Sequence, residues 1–245
     1  MKIYVTKDKK EMNQKAAEII LERIQEKPDM TLGLATGGTP EGTYDDLVND
    51  YQQHGTSYQN ITTFNLDEYV GLPSDDPNSY LSYMREHLFH HIDIPLEQTN
   101  LPNGIAEDLE AECDEYEMKI HGHGGIDLQL LGIGENGHIG FNEPGTAFGS
   151  KTHVVELAES TREANARFFD SKEDVPTHAI TMGIQTILKS KEILLLISGE
   201  RKQEALLRLL HGGVSEDFPA SALKEHPNLT VIADEAAIEN KSVVD

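Results

Sequence analysis

A single cysteine, Cys113, stands in the 245 residues, so no internal disulfide can form, and it has no companion thiol with which to hold a metal. It lies in an acidic helical stretch and reads as a bystander. No apolar run is long enough to cross a bilayer, and Met1-Lys2-Ile3-Tyr4-Val5 goes straight into a strand-like segment without a signal peptide, so the expected location is cytoplasmic, with no membrane partner. Cations are scarce as well. Lysine and arginine number 20 against 43 aspartates and glutamates, a formal charge of −23 with a pI near 4.7. Such a field repels nucleic acid, which excludes nucleic-acid binding as the main activity. A phosphorylated ligand would be repelled too, unless local cations and amide dipoles reverse the potential where it binds. The acid excess itself is assigned to solubility or to a saline or alkaline habitat, and carries no mechanism. Linkers, repeats and low-complexity segments are missing, so one domain over residues 1–245 is expected.

The centre of what is present is Gly132-Ile133-Gly134-Glu135-Asn136-Gly137-His138-Ile139-Gly140-Phe141-Asn142-Glu143-Pro144. It follows the apolar run Ile126–Leu131, so its glycines fall where a parallel strand ends and its crossover begins, which is where open α/β sheets hold ligands. Glycines let the backbone approach a bound molecule closely. Among them stand an imidazole, His138, and a carboxylate, Glu143, a pair able to move a proton. A plain glycine-rich turn is the alternative.

Two further strand ends carry chemistry. Thr31–Ala35 runs into Thr36-Gly37-Gly38-Thr39-Pro40 and then a helix start capped by Thr39 or Thr43, an arrangement that gathers unpaired amides and the positive end of a helix dipole for an anion. The lysine of a nucleoside-triphosphate loop is missing, and a structural turn is the other reading. Ile61–Leu66 ends at Asp67-Glu68-Tyr69-Val70-Gly71-Leu72-Pro73, a carboxylate that either caps a turn or acts as a base. Helices are read over 8–26, 77–91, 106–120, 160–169 and 203–210, and further strands over 2–6, 152–157, 192–197 and 229–233. This β/α alternation gives six or seven parallel strands. His121-Gly122-His123-Gly124 lacks a third ligand at sensible spacing, so the two histidines read as helix C-terminal caps and no metal is expected. Lys202 lies near a helix N-terminus, where the dipole disfavours a cation and a functional reason is invited.

With Phe64–Pro73, Thr36–Pro40, Gly132–Pro144 and Ser198–Lys202 in view, the chain resembles the glucosamine-6-phosphate deaminase family, from the first strand to about residue 238. The resemblance implies an α/β fold, a Rossmann-like three-layer sandwich with a mostly parallel central sheet, no metal and no organic cofactor. It implies the conversion of glucosamine 6-phosphate and water to fructose 6-phosphate and ammonium. Under it, His138 shuttles the ring-opening proton with Glu143 polarising the imidazole, and Asp67 removes the carbon 2 proton. Gly37, Gly38 and Thr39, with Arg167 and Lys202, hold the phosphate. Asn136 departs from the family pattern, which has an aspartate there, so the relay is expected to lean on Glu143. His153 and Val155 replace basic residues through which allosteric, hexameric members bind N-acetylglucosamine 6-phosphate. That implies a monomer or small homo-oligomer without the activator site. Residues 148–182 are the candidate lid. The rival readings are a 6-phosphogluconolactonase-type hydrolase, which shares the fold but continues the loop without Asn142-Glu143-Pro144, and a catalytically silent sugar-phosphate sensor.

Overall fold

In the computed structural model, which describes residues 1–166, 169 and 171–238, five of the six residues of Glu192–Ile197 are buried. Their side chains divide between two separate apolar clusters. Leu194 and Leu196 belong to one, Ile193, Leu195 and Ile197 to the other. A strand buried on both faces in this way has a helical layer on each side.

In chain order the elements are β1 (Lys2–Thr6), α1 (Lys9–Glu26), β2 (Thr31–Leu34), α2 (Glu41–His54), β3 (Thr62–Asn65), β4 (Asp67–Tyr69), α3 (Tyr80–His87), β5 (Thr99–Asn100), α4 (Leu109–Gly122) and β6 (Leu128–Gly132). There follow β7 (His153–Glu156), α5 (Glu159–Asn165), β8 (His178–Thr181), α6 (Ile184–Leu188), β9 (Glu192–Ile197), α7 (Gln203–His211) and β10 (Leu229–Asp234). Helices α1, α2 and α3 cover the face that carries Leu32, Leu34, Leu128 and Leu130. Helices α4, α6 and α7 cover the face of Phe64, Leu131 and Val231.

Seven strands pair in the order β1-β10-β9-β6-β2-β3-β5, each pair parallel. From β2 the chain builds outward through β3 to β5. It then returns to lay β6 against the other side of β2 and builds the opposite way through β9 to β10. The connections after β2 and β6 therefore diverge and leave a crevice beyond their carboxyl ends.

The helix starts are set by short polar side chains. Asp8 accepts from the Glu11 amide at 3.0 Å, Ser79 from the Ser82 amide at 3.1 Å, and Asp108 from the Glu110 and Ala111 amides. The threonine cap expected for α2 is not made. The helix begins at Glu41 behind Pro40, with no side-chain cap, because proline presets a helical φ where its missing N–H costs nothing. The helix expected over 77–91 is α3 followed by a separate 3-10 turn at Phe89–His91. A second sheet, antiparallel and ordered β4-β8-β7, was not foreseen.

Candidate active site

That small sheet brings distant chain segments together. In the β4–β8 pairing Asp67 lies opposite Thr181, and the Thr181 hydroxyl accepts from the Phe141 amide at 3.1 Å. The buried Asn142 amide group donates to the carbonyls of Ile139 and Met182, both at 2.8 Å. The glycine-rich loop after β6 is thus stitched to the end of β8, and through β8 to Asp67. Asp67 and His138 open into one cavity of about 870 Å³, which also takes in Thr36, Gly37, Thr39, Asn136 and Lys202. Gly38 and Glu143 do not line it, and Arg167 lies outside the described residues.

Asp67 is 6% exposed, and among the described residues no hydrogen bond or ion pair reaches its carboxylate. Burial, with the neighbouring Glu68 charge adding to it, pushes its pKa up to about 8. A carboxyl group so placed is a stronger base than an exposed one once it is ionised. Glu68 differs sharply. Its carboxylate accepts from the amides of Tyr69, Tyr80 and Leu81 at 2.8–3.0 Å, fastening β4 to the start of α3. Burial still holds its pKa above the usual range, the amides only partly offsetting it.

Around His138 the donors converge on Glu143. His138 Nδ1 stands 3.3 Å from Glu143 Oε1, near enough for an ion pair but without the alignment of a formed hydrogen bond. Thr161 Oγ1 donates to the same oxygen at 3.0 Å, and Asn136 Nδ2 donates to Oε2 at 2.6 Å. Burial works to raise the Glu143 pKa, but the contacts from His138, Asn136 and Thr161 outweigh it and leave it below the usual range. Asn136 Oδ1 accepts from the His138 backbone amide at 3.1 Å, so the Asn136 side chain acts on the imidazole through Glu143. The ring has room because residue 134 is glycine: a Cβ there would sit 2.4 Å from it.

In the loop that brings Gly37 and Thr39 to the cavity, the carbonyls of Gly37 and Gly38 accept from the Tyr83 hydroxyl at 2.8 Å and from Lys9 Nζ at 2.6 Å, neither of which lines it. In a trans peptide the following amide points the opposite way, so the Gly38 and Thr39 N–H groups turn from these partners, and Gly37 supplies the bend with φ 90°. No acceptor takes either amide among the described residues. Lys202 projects from a turn held by buried Asp234, which accepts from the Ser198 hydroxyl and from the amides of Gly199 and Ala237. Burial lowers the Lys202 pKa.

Glu68, Thr161, Asn165 and Asp234 were not singled out from the sequence. Asn165 Nδ2 donates to the Tyr69 hydroxyl at 2.9 Å, so α5 is tied both to the strand that carries Asp67 and to Glu143. The spacing of Thr161 and Asn165, four residues apart on one helix face, was the available signal. His123 Nδ1 donates to the Lys119 carbonyl and the ring packs 5.4 Å from that of Phe64. Among the described residues no group of three or more His, Cys, Asp or Glu is arranged to hold a metal ion, and no helix is long and apolar enough to cross a membrane.

Residues 7–232 match the family model described as glucosamine-6-phosphate isomerases/6-phosphogluconolactonase. A glucosamine-6-phosphate deaminase of Shouchella clausii is 63% identical over 237 residues, covering 97% of this chain and 96% of the relative. Glucosamine-6-phosphate deaminase 1 of Bacillus subtilis is 59% identical over 237 residues, 97% and 98% of the two chains. A solved monomeric glucosamine-6-phosphate deaminase superposes with a TM-score of 0.95 at 57% identity over the whole of both chains. A 6-phosphogluconolactonase from Trypanosoma cruzi gives 0.79 at 20% identity, over 98% of this chain and 97% of that one, a likeness of fold alone. This chain belongs to the glucosamine-6-phosphate isomerase and 6-phosphogluconolactonase family.

Proposed function

We propose that the protein is a glucosamine-6-phosphate deaminase, converting glucosamine 6-phosphate and water to fructose 6-phosphate and ammonium, with Asp67 and His138 as the groups that move protons. The observation that carries this reading is that the Asp67 carboxylate and the His138 ring open into the same cavity, which Gly37, Thr39 and Lys202 also line. In this reading the phosphate rests on the Gly38 and Thr39 amides at the start of α2 and on Lys202, with Arg167 as a further cation. His138 takes the proton of the carbon 1 hydroxyl and returns it to the ring oxygen, opening the pyranose. Ionised Asp67 then removes the proton from carbon 2, leaving an enolamine. Protonation at carbon 1 makes the nitrogen on carbon 2 an iminium, which water hydrolyses to the ketone and ammonium. The step at carbon 2 requires a base in a site poor in water, which fits the burial of Asp67. Closure of residues 148–182 is narrowed by the buried β8 strand to the part around α5, which would swing on the Thr161 and Asn165 bonds.

The test is release of ammonium from glucosamine 6-phosphate, run beside hydrolysis of 6-phosphogluconolactone. Activity on the first and none on the second is expected, and the reverse would overturn the reading. A monomeric, cytoplasmic enzyme with hyperbolic kinetics belongs to the same reading. It is supported by the monomeric relative and by His153 and Val155 on β7, a strand that offers neither lysine nor arginine to an activator. A sigmoidal rate curve relaxed by N-acetylglucosamine 6-phosphate would count against it.

Asn136 supplies a further prediction. Asn136→Asp sets a second carboxylate where the amide stood 2.6 Å from Glu143 Oε2, and two like charges at that distance must share a proton. Activity is expected to persist with the acid limb of the pH profile moved upward. Loss of activity in that variant, with Glu143→Gln unaffected, would contradict a relay that leans on Glu143.

A further inference from the structure

Resting on the deaminase reading, we propose that Arg201 is an additional phosphate-facing cation, held in reserve at the cavity mouth by Glu135 until the substrate phosphate displaces that carboxylate. Both side chains line the cavity. They come from neighbouring strands, Glu135 from the loop after β6 and Arg201 from the turn after β9. Arg201 Nε lies 3.5 Å from Glu135 Oε1, with the two side chains 83% and 55% exposed. A pair this long and this wet is held loosely. A phosphate dianion carries more charge than a carboxylate and offers a guanidinium two oxygens at once, so it competes well for the same group.

The charge inventory gives the pair a reason to exist. Asp67, Glu135 and Glu163 line the cavity, and among the described residues Lys202 and Arg201 are its lysine and arginine. In a chain of net charge −23, an unmasked Glu135 would repel the incoming phosphate, and an unmasked Arg201 would attract any passing anion. Paired, they are nearly neutral to both. Lys202 registers the two neighbours: after burial, which lowers its pKa most, Glu135 acts to raise it and Arg201 to lower it. The three charges therefore share one field, and rearranging the Glu135–Arg201 pair changes what the phosphate meets.

The experiment measures ammonium release from glucosamine 6-phosphate, and competitive inhibition by inorganic phosphate, for the full chain, Arg201→Gln, Glu135→Gln and the double variant, at low salt and at about 0.5 M salt. Arg201→Gln is expected to raise KM and the phosphate inhibition constant together by about five- to tenfold, with the smaller change in kcat. Glu135→Gln is expected to lower both constants by about two- to fivefold at low salt, and to do so much less when Arg201 is already glutamine. High salt should shrink every one of these differences. Constants for Arg201→Gln within about 1.5-fold of wild type, or a loss confined to kcat and thermal stability, would overturn the proposal and leave the pair a clasp between two loops. Calorimetric titration of inorganic phosphate separates the two readings. A wild-type chain that bound phosphate but released no ammonium would overturn the deaminase reading, while the Arg201 proposal would stand or fall on the phosphate affinity of Arg201→Gln.

Discussion

Asp67→Asn is expected to lower kcat on glucosamine 6-phosphate by about 10³-fold, within the range that loss of a positioned general base produces, and at the same time to stabilise the fold. The first effect follows from chemistry: an amide cannot accept the carbon 2 proton. The second follows from burial. The Asp67 carboxyl has its pKa raised from 3.8 to about 8, so the folded state holds a proton that the unfolded chain releases. Below about pH 4 the group is protonated in both states and costs nothing. From there to about pH 8 the folded state is increasingly penalised, by about 1.4 kcal/mol for each pH unit as an upper bound. The melting temperature of Asp67→Asn should therefore match wild type near pH 4 and exceed it by a widening margin up to pH 8. For the same reason, wild-type kcat/KM should climb with pH through an acid limb near 8, since the base must be ionised to work. Equal melting temperatures at pH 8, with full activity in the variant, would remove Asp67 from the reaction.

Glu143→Gln is expected to cost about 10²-fold in kcat while leaving KM near its wild-type value. The split has a geometric reason. Glu143 does not line the cavity, so it touches the substrate only through His138. Its two oxygens accept from two groups, Thr161 at Oε1 and Asn136 at Oε2, and Oε1 also stands 3.3 Å from His138 Nδ1. A glutamine can accept at one end only, and its amide nitrogen would face either the Asn136 donor or the Thr161 donor and the imidazole. The negative charge that stabilises an imidazolium is also gone. Asn136→Ala, which removes one donor and keeps the charge, should lose far less, on the order of tenfold. A Glu143→Gln enzyme within threefold of wild type beside an inactive Asn136→Ala would show that the relay runs through the amide.

The main sheet and the glycine loops were legible because they depend on local pattern. A strand buried on both faces must be apolar along its length, as Ile193–Ile197 is, and a glycine run after such a strand marks its carboxyl end. The small sheet was hidden for the converse reason. Strand β4 is three residues, Asp67-Glu68-Tyr69, too short and too polar to show a period, and of its two buried acids Glu68 is explained by the amides that fold around it. Asn136, His138 and Glu143 in the glycine-rich loop could be picked out, but the hand of Asn136 could not. Nothing in the letters says that its amide faces Glu143 and its carbonyl oxygen the His138 backbone. Thr161 offered no more than its four-residue spacing from Asn165, since its meaning lies in where α5 docks.

The pairing of the first strand with the last carries a consequence for biosynthesis. Among the described residues, β1 joins the sheet through β10 alone, over Lys2–Thr6 against Thr230–Asp234. On the ribosome, residues 2–6 must therefore wait, their sheet edge unmatched, until residues 230–234 have emerged. The nascent chain can dock β2, β3 and β6 while translation continues, but β1 and β10 close that edge of the sheet together and late. A message cut short before Leu229 would release a molecule with its cavity-lining loops already translated and two strand edges open to the wrong neighbours.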